Sequence, residues 1–101
     1  MKLRYTPEAH RDLQNIKQYI AVELCNSSAA ISVSHQIIFA CQRLKEHPYM
    51  GIKLSDKTGR ETDLRYIIIG NYLAFYRIDG NYISIVRILD SRTNYMYTLH
   101  L

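Results

Sequence analysis

The sequence predicts an α+β domain in which a first strand and an antiparallel hairpin of two helices precede an antiparallel β-meander, with the helices packed on one face of the sheet. Two observations carry this prediction. Apolar residues recur at spacings of three and four through 9–24 and again through 30–44, with Asn26-Ser27-Ser28 breaking the pattern between them. Beyond Pro48 the period changes, and three β-rich runs, 64–69, 72–78 and 82–89, are separated by Gly70-Asn71 and Asp79-Gly80-Asn81, both hairpin turn signals. A chain of 101 residues has room for one core, so residues 1–101 form a single domain.

In order along the chain, Lys2 to Tyr5 alternates charge and bulk and reads as a short strand. Thr6-Pro7-Glu8-Ala9 is a helix start. Thr6 can accept from a free N–H of the first turn, proline suits the first helical position, and Glu8 suits the positive end of the dipole. Ala9, Leu13, Ile16, Ile20 and Leu24 form one apolar face. In the second helix Ala30, Val33, Ile37, Cys41 and Leu44 repeat the stripe, broadened by Ile31 and Ile38, until His47-Pro48 ends it. So short a connection makes the two helices a hairpin. Residues 50–62 are polar and read as an exposed loop with room for one short strand. The tyrosine-rich tail, 90–101, is compatible with a last strand or a short helix.

The three meander runs are apolar at most positions, not at alternate ones. One face packs on the helices. The other shows Tyr, Ile and Phe to water unless loops, the tail or a partner segment covers it.

Composition narrows the setting. The chain is 48% hydrophobic and 22% charged, which excludes a disordered chain, and no window reaches a membrane span. The opening residues lack an apolar signal region, so the expected location is the cytoplasm. Cys25 and Cys41 read as two reduced thiols, and their spacing implies no metal site. A net charge of +4 and a pI near 9.2 favour an anionic partner such as nucleic acid or an acidic protein.

Several pieces, in order, resemble the RelE/ParE family of bacterial toxins, the toxic half of type II toxin–antitoxin pairs. They are Tyr5-Thr6-Pro7-Glu8-Ala9 with Asp12-Leu13 and Ile16; Tyr19-Ile20; the Pro48…Gly51 pair; Leu64-Arg65; residues 72–78; and residues 83–89 running into Ser91-Arg92-Thr93-Asn94-Tyr95. The similarity runs from residue 3 to residue 97. It implies two antiparallel helices on a small antiparallel sheet, a cognate antitoxin as partner, and no cofactor, metal or membrane.

For activity the resemblance implies ribosome-dependent cleavage of mRNA by a metal-independent endoribonuclease. The alternative is a ParE-like, non-enzymatic inhibitor of DNA gyrase, and a further one is an inactive homologue that only binds the antitoxin. Arg65 sits where the RelE-like arginine contacts the cleaved phosphate, and Arg92 where the second such arginine precedes the C-terminal segment. Tyr95 or Tyr97 stands for the late aromatic of RNA cleavage. The run Ser91 to Tyr95 also resembles the arginine-acid-tyrosine ending of ParE-like chains, with Asn94 in place of the acid.

Cleavage of RNA through its 2′-hydroxyl needs a base, a cation for the phosphorane and an acid for the leaving oxygen. Arg65 and Arg92 bring charge and fork geometry, and Lys53, Lys57 and Arg60 bring charge for the RNA backbone. Tyr95, Tyr97 and His100 are the acid–base candidates by residue type. The plain alternatives are an Arg65 ion pair with Asp63 or Asp90 across the sheet, and a solvated loop for Lys53, Lys57 and Arg60. An acidic antitoxin segment would lie on the exposed outer sheet face and meet Arg65, Arg77, Arg87 or Arg92.

Overall fold

The computed structural model describes residues 1–101. Strand β1 (Lys2–Tyr5) leads into helix α1 (Pro7–Gln18), and helix α2 (Ser27–Arg43) returns beside it. Strand β2 (Ile52–Lys53) and helix α3 (Leu54–Thr58) occupy the region read as a loop. Strands β3 (Arg65–Ile69), β4 (Tyr72–Asp79) and β5 (Tyr82–Asp90) form the meander, and helix α4 (Tyr95–Thr98) lies in the tail. The sheet has five strands in the order β1-β5-β4-β3-β2, and β1 runs parallel to β5 while every other pair is antiparallel. The sheet is therefore mixed, because the chain returns to β1 only after the helical hairpin and the meander.

The helix starts follow the sequence. The Thr6 side chain accepts from Ala9 N at 3.1 Å and the Asn26 side chain from Ala29 N at 3.0 Å, each satisfying a first-turn N–H. The end of the first stripe departs from expectation. After Gln18 the helix widens into a π-helical turn, Tyr19–Glu23, whose last bond runs from Leu24 N to Tyr19 O at 3.2 Å. The extra residue in that turn rotates the following side chains, so Ile20 stays buried while Leu24 is 56% exposed. Ile31, also expected on the packed stripe, points to solvent.

Two apolar clusters flank the sheet. The inner one joins Ala9 and Leu13 of α1 and Ile37, Cys41 and Leu44 of the second stripe to Ile67, Ala74, Tyr76, Ile83, Ile85 and Ile88 of the meander. Full burial of one such isoleucine stabilises the fold by about 1.5–3 kcal/mol. The outer cluster is Leu54, Leu64, Tyr66, Leu73, Phe75 and Leu89, with Tyr95, Leu99 and Leu101 packed on it. The apolar half of the outer face is thus covered by α3 and the tail, as the sequence reading allowed with its cover by loops or the tail. Exposed large apolar side chains gather in two places, Phe39, Met50, Ile52 and Ile68 along the α2–β2 flank and Tyr19, Val22, Leu24 and Ile31 at the hairpin tip, while Met1, Tyr49 and Tyr97 are exposed elsewhere.

Both cysteines are free, Cys25 exposed and Cys41 buried. Burial pushes the Cys41 thiol up to about 11 and raises the Tyr5 phenol as well. Alkylation of the native chain at pH 8 should therefore mark Cys25 alone, with Cys41 reacting only on unfolding, as mass spectrometry of the labelled peptides would show. The folded state holds the Cys41 proton above the ordinary thiol value of 9.0, so this contribution is complete below pH 9 and is lost as pH rises toward about 11. Urea midpoints measured across that interval should fall.

Candidate functional site

The residues expected to act together on a phosphate do not converge. Arg65 opens β3 opposite Tyr76 of β4, whereas Asp90, two residues before Arg92, stands opposite Tyr72. Four residues of β4 separate those registers, roughly 13 Å along the strand, with Arg92 beyond the far end. Neither guanidinium is free. Arg65 donates to Gly51 O at 3.0 Å and Tyr49 O at 3.4 Å, and its guanidinium lies 5.1 Å from the Tyr49 ring centroid. Arg92 clasps Asp90 with bonds of 3.0 and 2.9 Å from its side chain and 2.9 Å from its backbone N–H. The arginine bonds hold the Asp90 carboxyl below its ordinary range.

The expected Arg65 ion pairs are corrected by this arrangement. Asp63 is taken by Arg77, at 3.2 Å, and Asp90 by Arg92. Arg65 instead ties β3 to the chain leaving α2, because its position opposite Lys53 in the β2–β3 pair aims it at the carbonyls just before β2.

The other candidates fall into separate places. Lys53 is the cross-strand neighbour of Arg65. Lys57 of α3 reaches over two rings, 5.3 Å from Tyr66 and 5.6 Å from Tyr95, and so meets Tyr95 on the outer face. The Tyr95 ring packs 5.4 Å from Phe75, which makes it part of the cover over the sheet. Interaction with Tyr95, and then with Tyr66, raises the Lys57 ammonium above its ordinary value. Tyr97 is 81% exposed and touches no cationic partner, and Arg60 stands in solvent after the αL residue Gly59 (φ 70°) that ends α3.

Register assembles two groups that linear reading missed. On the uncovered half of the outer face, Arg4 of β1 and Arg77 of β4 both pair with Ser84 of β5, forming one row across three strands. Arg4 Nε donates to Ser84 Oγ at 2.7 Å and its other arm to Asp79 at 2.7 Å, with the guanidinium 4.3 Å from the Tyr82 ring centroid. The row borders a cleft of about 370 Å³ lined also by Tyr5, Thr6, Pro7, Asp79 and Val86. The alternation of Lys2 to Tyr5 placed Arg4 on one strand face; only strand pairing reveals its neighbour.

The second group closes the edge of β5 beyond the end of β1. Asp12 of α1 accepts from Arg87 at 2.7 and 2.9 Å and from Ile88 N at 2.9 Å. Thr6 adds bonds of 2.9 Å to Ile85 O and Val86 O. The hydrogen bond with Asp12 raises the Arg87 guanidinium further above its ordinary value. Arg87 is therefore committed to structure, not available to an acidic partner.

Comparison with known proteins agrees with this architecture. A solved structure described as the chromosomal ParDE TA system from P. aeruginosa superposes with a TM-score of 0.75 at 23% identity, covering 89% of this chain and 95% of that one. No curated protein sequence matches. Residues 3–95 match the family described as ParE toxin of type II toxin-antitoxin system, parDE. This span includes the strand, both long helices and the whole meander, and the chain belongs to the ParE toxin family of type II toxin–antitoxin systems.

Proposed function

We propose that this chain is the toxin of a ParDE-type pair, that it arrests growth by binding DNA gyrase without chemical turnover, and that a cognate antitoxin silences it in the cytoplasm. The observation that carries the reading is the family match over residues 3–95, since gyrase is the target that the resemblance implies for ParE-like chains. The separation of Arg65 from Arg92 supports it. Ribonuclease chemistry needs a cation at the phosphorane with an acid and a base within hydrogen-bond reach of the same phosphate. Here one arginine is bonded to loop carbonyls and the other to Asp90, at opposite ends of the meander. Binding a large partner asks for no such convergence.

A supercoiling assay tests the reading. Added to gyrase, relaxed plasmid and ATP, the purified chain should stop supercoiling at a fixed ratio of chain to enzyme. Messenger RNA incubated with ribosomes and the same chain should stay intact. Unimpaired supercoiling together with cut message would replace this reading with the nuclease one.

A further inference from the structure

Helix α2 lacks the charged face that an exposed helix normally turns to water. Between Lys17 and Arg43 the only charged residue is Glu23, so within α2 itself charge appears only at Arg43, its last residue. The neighbouring α1 carries Glu8, Arg11, Asp12 and Lys17 in 12 residues. Ala30, Ser34, Ile37 and Cys41 bury the inner side of α2. The opposite side is open. Ile31 and Phe39 are 51% and 67% exposed, and Ser28, His35 and Gln42 are exposed with them. At about 100° per residue all five point within about 40° of the direction of His35, so they share one face.

The order of side chains on this face is the same in both directions: polar, apolar, His35, apolar, polar. Ile31 and Phe39 stand four residues either side of His35, and Ser28 and Gln42 seven residues either side. We propose that this face is the contact of a homodimer, in which a second copy of this chain lays its own α2 antiparallel across a twofold axis at His35. Phe39 of one copy then lies over Ile31 of its partner, and Gln42 over Ser28, each contact occurring twice, as an isologous interface requires. A partner of different sequence would give no reason for that symmetry. Charge favours the same occupant. Each copy carries +4, and two such copies meet with least repulsion through a face that holds no charge. Loss of charge around exposed aromatic and aliphatic side chains also marks the core of protein interfaces. The ends extend the contact. Antiparallel alignment brings the hairpin tip before α2, where Val22 and Leu24 are exposed, toward the flank beyond α2 on the other copy, where Met50 and Ile52 are exposed. A helix of this length spans about 25 Å. With its apolar ends the contact is on the order of 1,000 Å², the lower end for a specific interface, which sets an association of roughly micromolar strength.

Sedimentation equilibrium of the purified chain, from about 5 µM to about 500 µM, should show a reversible monomer–dimer equilibrium. Phe39→Glu and Ile31→Glu should each weaken it roughly a hundredfold, because either substitution enters the contact twice. Both side chains are exposed, so circular dichroism should show the parent fold. Phe39→Ser and Ile31→Ser repeat the measurement if an acidic variant unfolds. Mixing tests the register. Ile31→Glu and Phe39→Lys chains should each be monomeric alone and should pair when combined, since the antiparallel arrangement sets the new carboxylate of one against the new ammonium of the other. Raising salt from about 0.05 M to about 0.5 M should leave the parent dimer unchanged or tighten it, as screening lowers the repulsion between two basic copies. A parent chain that stays monomeric throughout would overturn the proposal and leave the face to a different protein. Dimers that persist in the folded Phe39 and Ile31 variants, that loosen with salt, or that fail to form on mixing would each overturn it as well. Neither antitoxin nor gyrase enters these measurements, so their outcome is independent of the toxin reading.

Discussion

Replacing Gly51 by alanine should destabilise the fold by about 3 kcal/mol or more, combining overpacking with broken buried hydrogen bonds. A Cβ at this position would lie 2.4 Å from the Tyr76 hydroxyl, 2.6 Å from its ring and 2.9 Å from Tyr66 O. Tyr76 cannot move aside, since it is fully buried and its hydroxyl donates to Pro48 O at 2.7 Å while accepting from Gly51 N at 3.0 Å. The phenol is raised by burial, which keeps it a neutral donor. Arg65 completes the lock by binding Gly51 O from the other side. Urea denaturation measures the effect. Tyr76→Phe alone should cost about 1–3 kcal/mol by leaving two backbone groups unpaired. Combined with Gly51→Ala it should cost less than the sum, because removing the hydroxyl removes the closest overlap. A Gly51→Ala chain within about 0.5 kcal/mol of the parent, the range of neutral surface changes, would show that the loop is not locked.

Asp12→Ala should cost about 3 kcal/mol. The substitution strips a partly buried guanidinium of the carboxylate bonded to it and leaves Ile88 N without that acceptor. With side chains 28% and 12% exposed, Arg87 and Asp12 are shielded far more than the arginine pairs on the outer face, so added salt should change the loss little. Asp12→Asn keeps an acceptor for Ile88 N and should fall between the two. Arg87→Ala and Asp12→Ala should be strongly non-additive, because either one alone already abolishes the pair. Simple addition of the two losses in denaturation would mean that the carboxylate and the guanidinium act separately.

The elements were largely legible because their causes are local. Thr6 and Asn26 cap as short polar residues do, Pro7 and Pro48 bound the helical region, and Gly70 and Gly80, with φ of 58° and 60°, supply the left-handed turns of the meander. Leu24 misled because a π-helical turn breaks the 3.6 period without any residue that announces it. The site was less legible for a different reason. Arg65 and Arg92 stand at matching places in the linear pattern, but their separation depends on strand register, which motif order does not contain. Arg4 and Arg77 are 73 positions apart in sequence and neighbours only through Ser84, so no linear signal joins them. The cover over the outer face required knowing that the tail forms α4 and folds back to place Tyr95 against Phe75.

Pulse labelling after induction tests the central claim most directly. The chain is expressed alone in a bacterium, its solubility is verified, and incorporation of labelled thymidine and labelled methionine is followed from the moment of induction. Inhibition of gyrase predicts that thymidine incorporation falls first, with protein synthesis continuing for a time, and that a co-expressed antitoxin restores both. Methionine incorporation falling first, with DNA synthesis still running, would place the target at the ribosome and contradict the account.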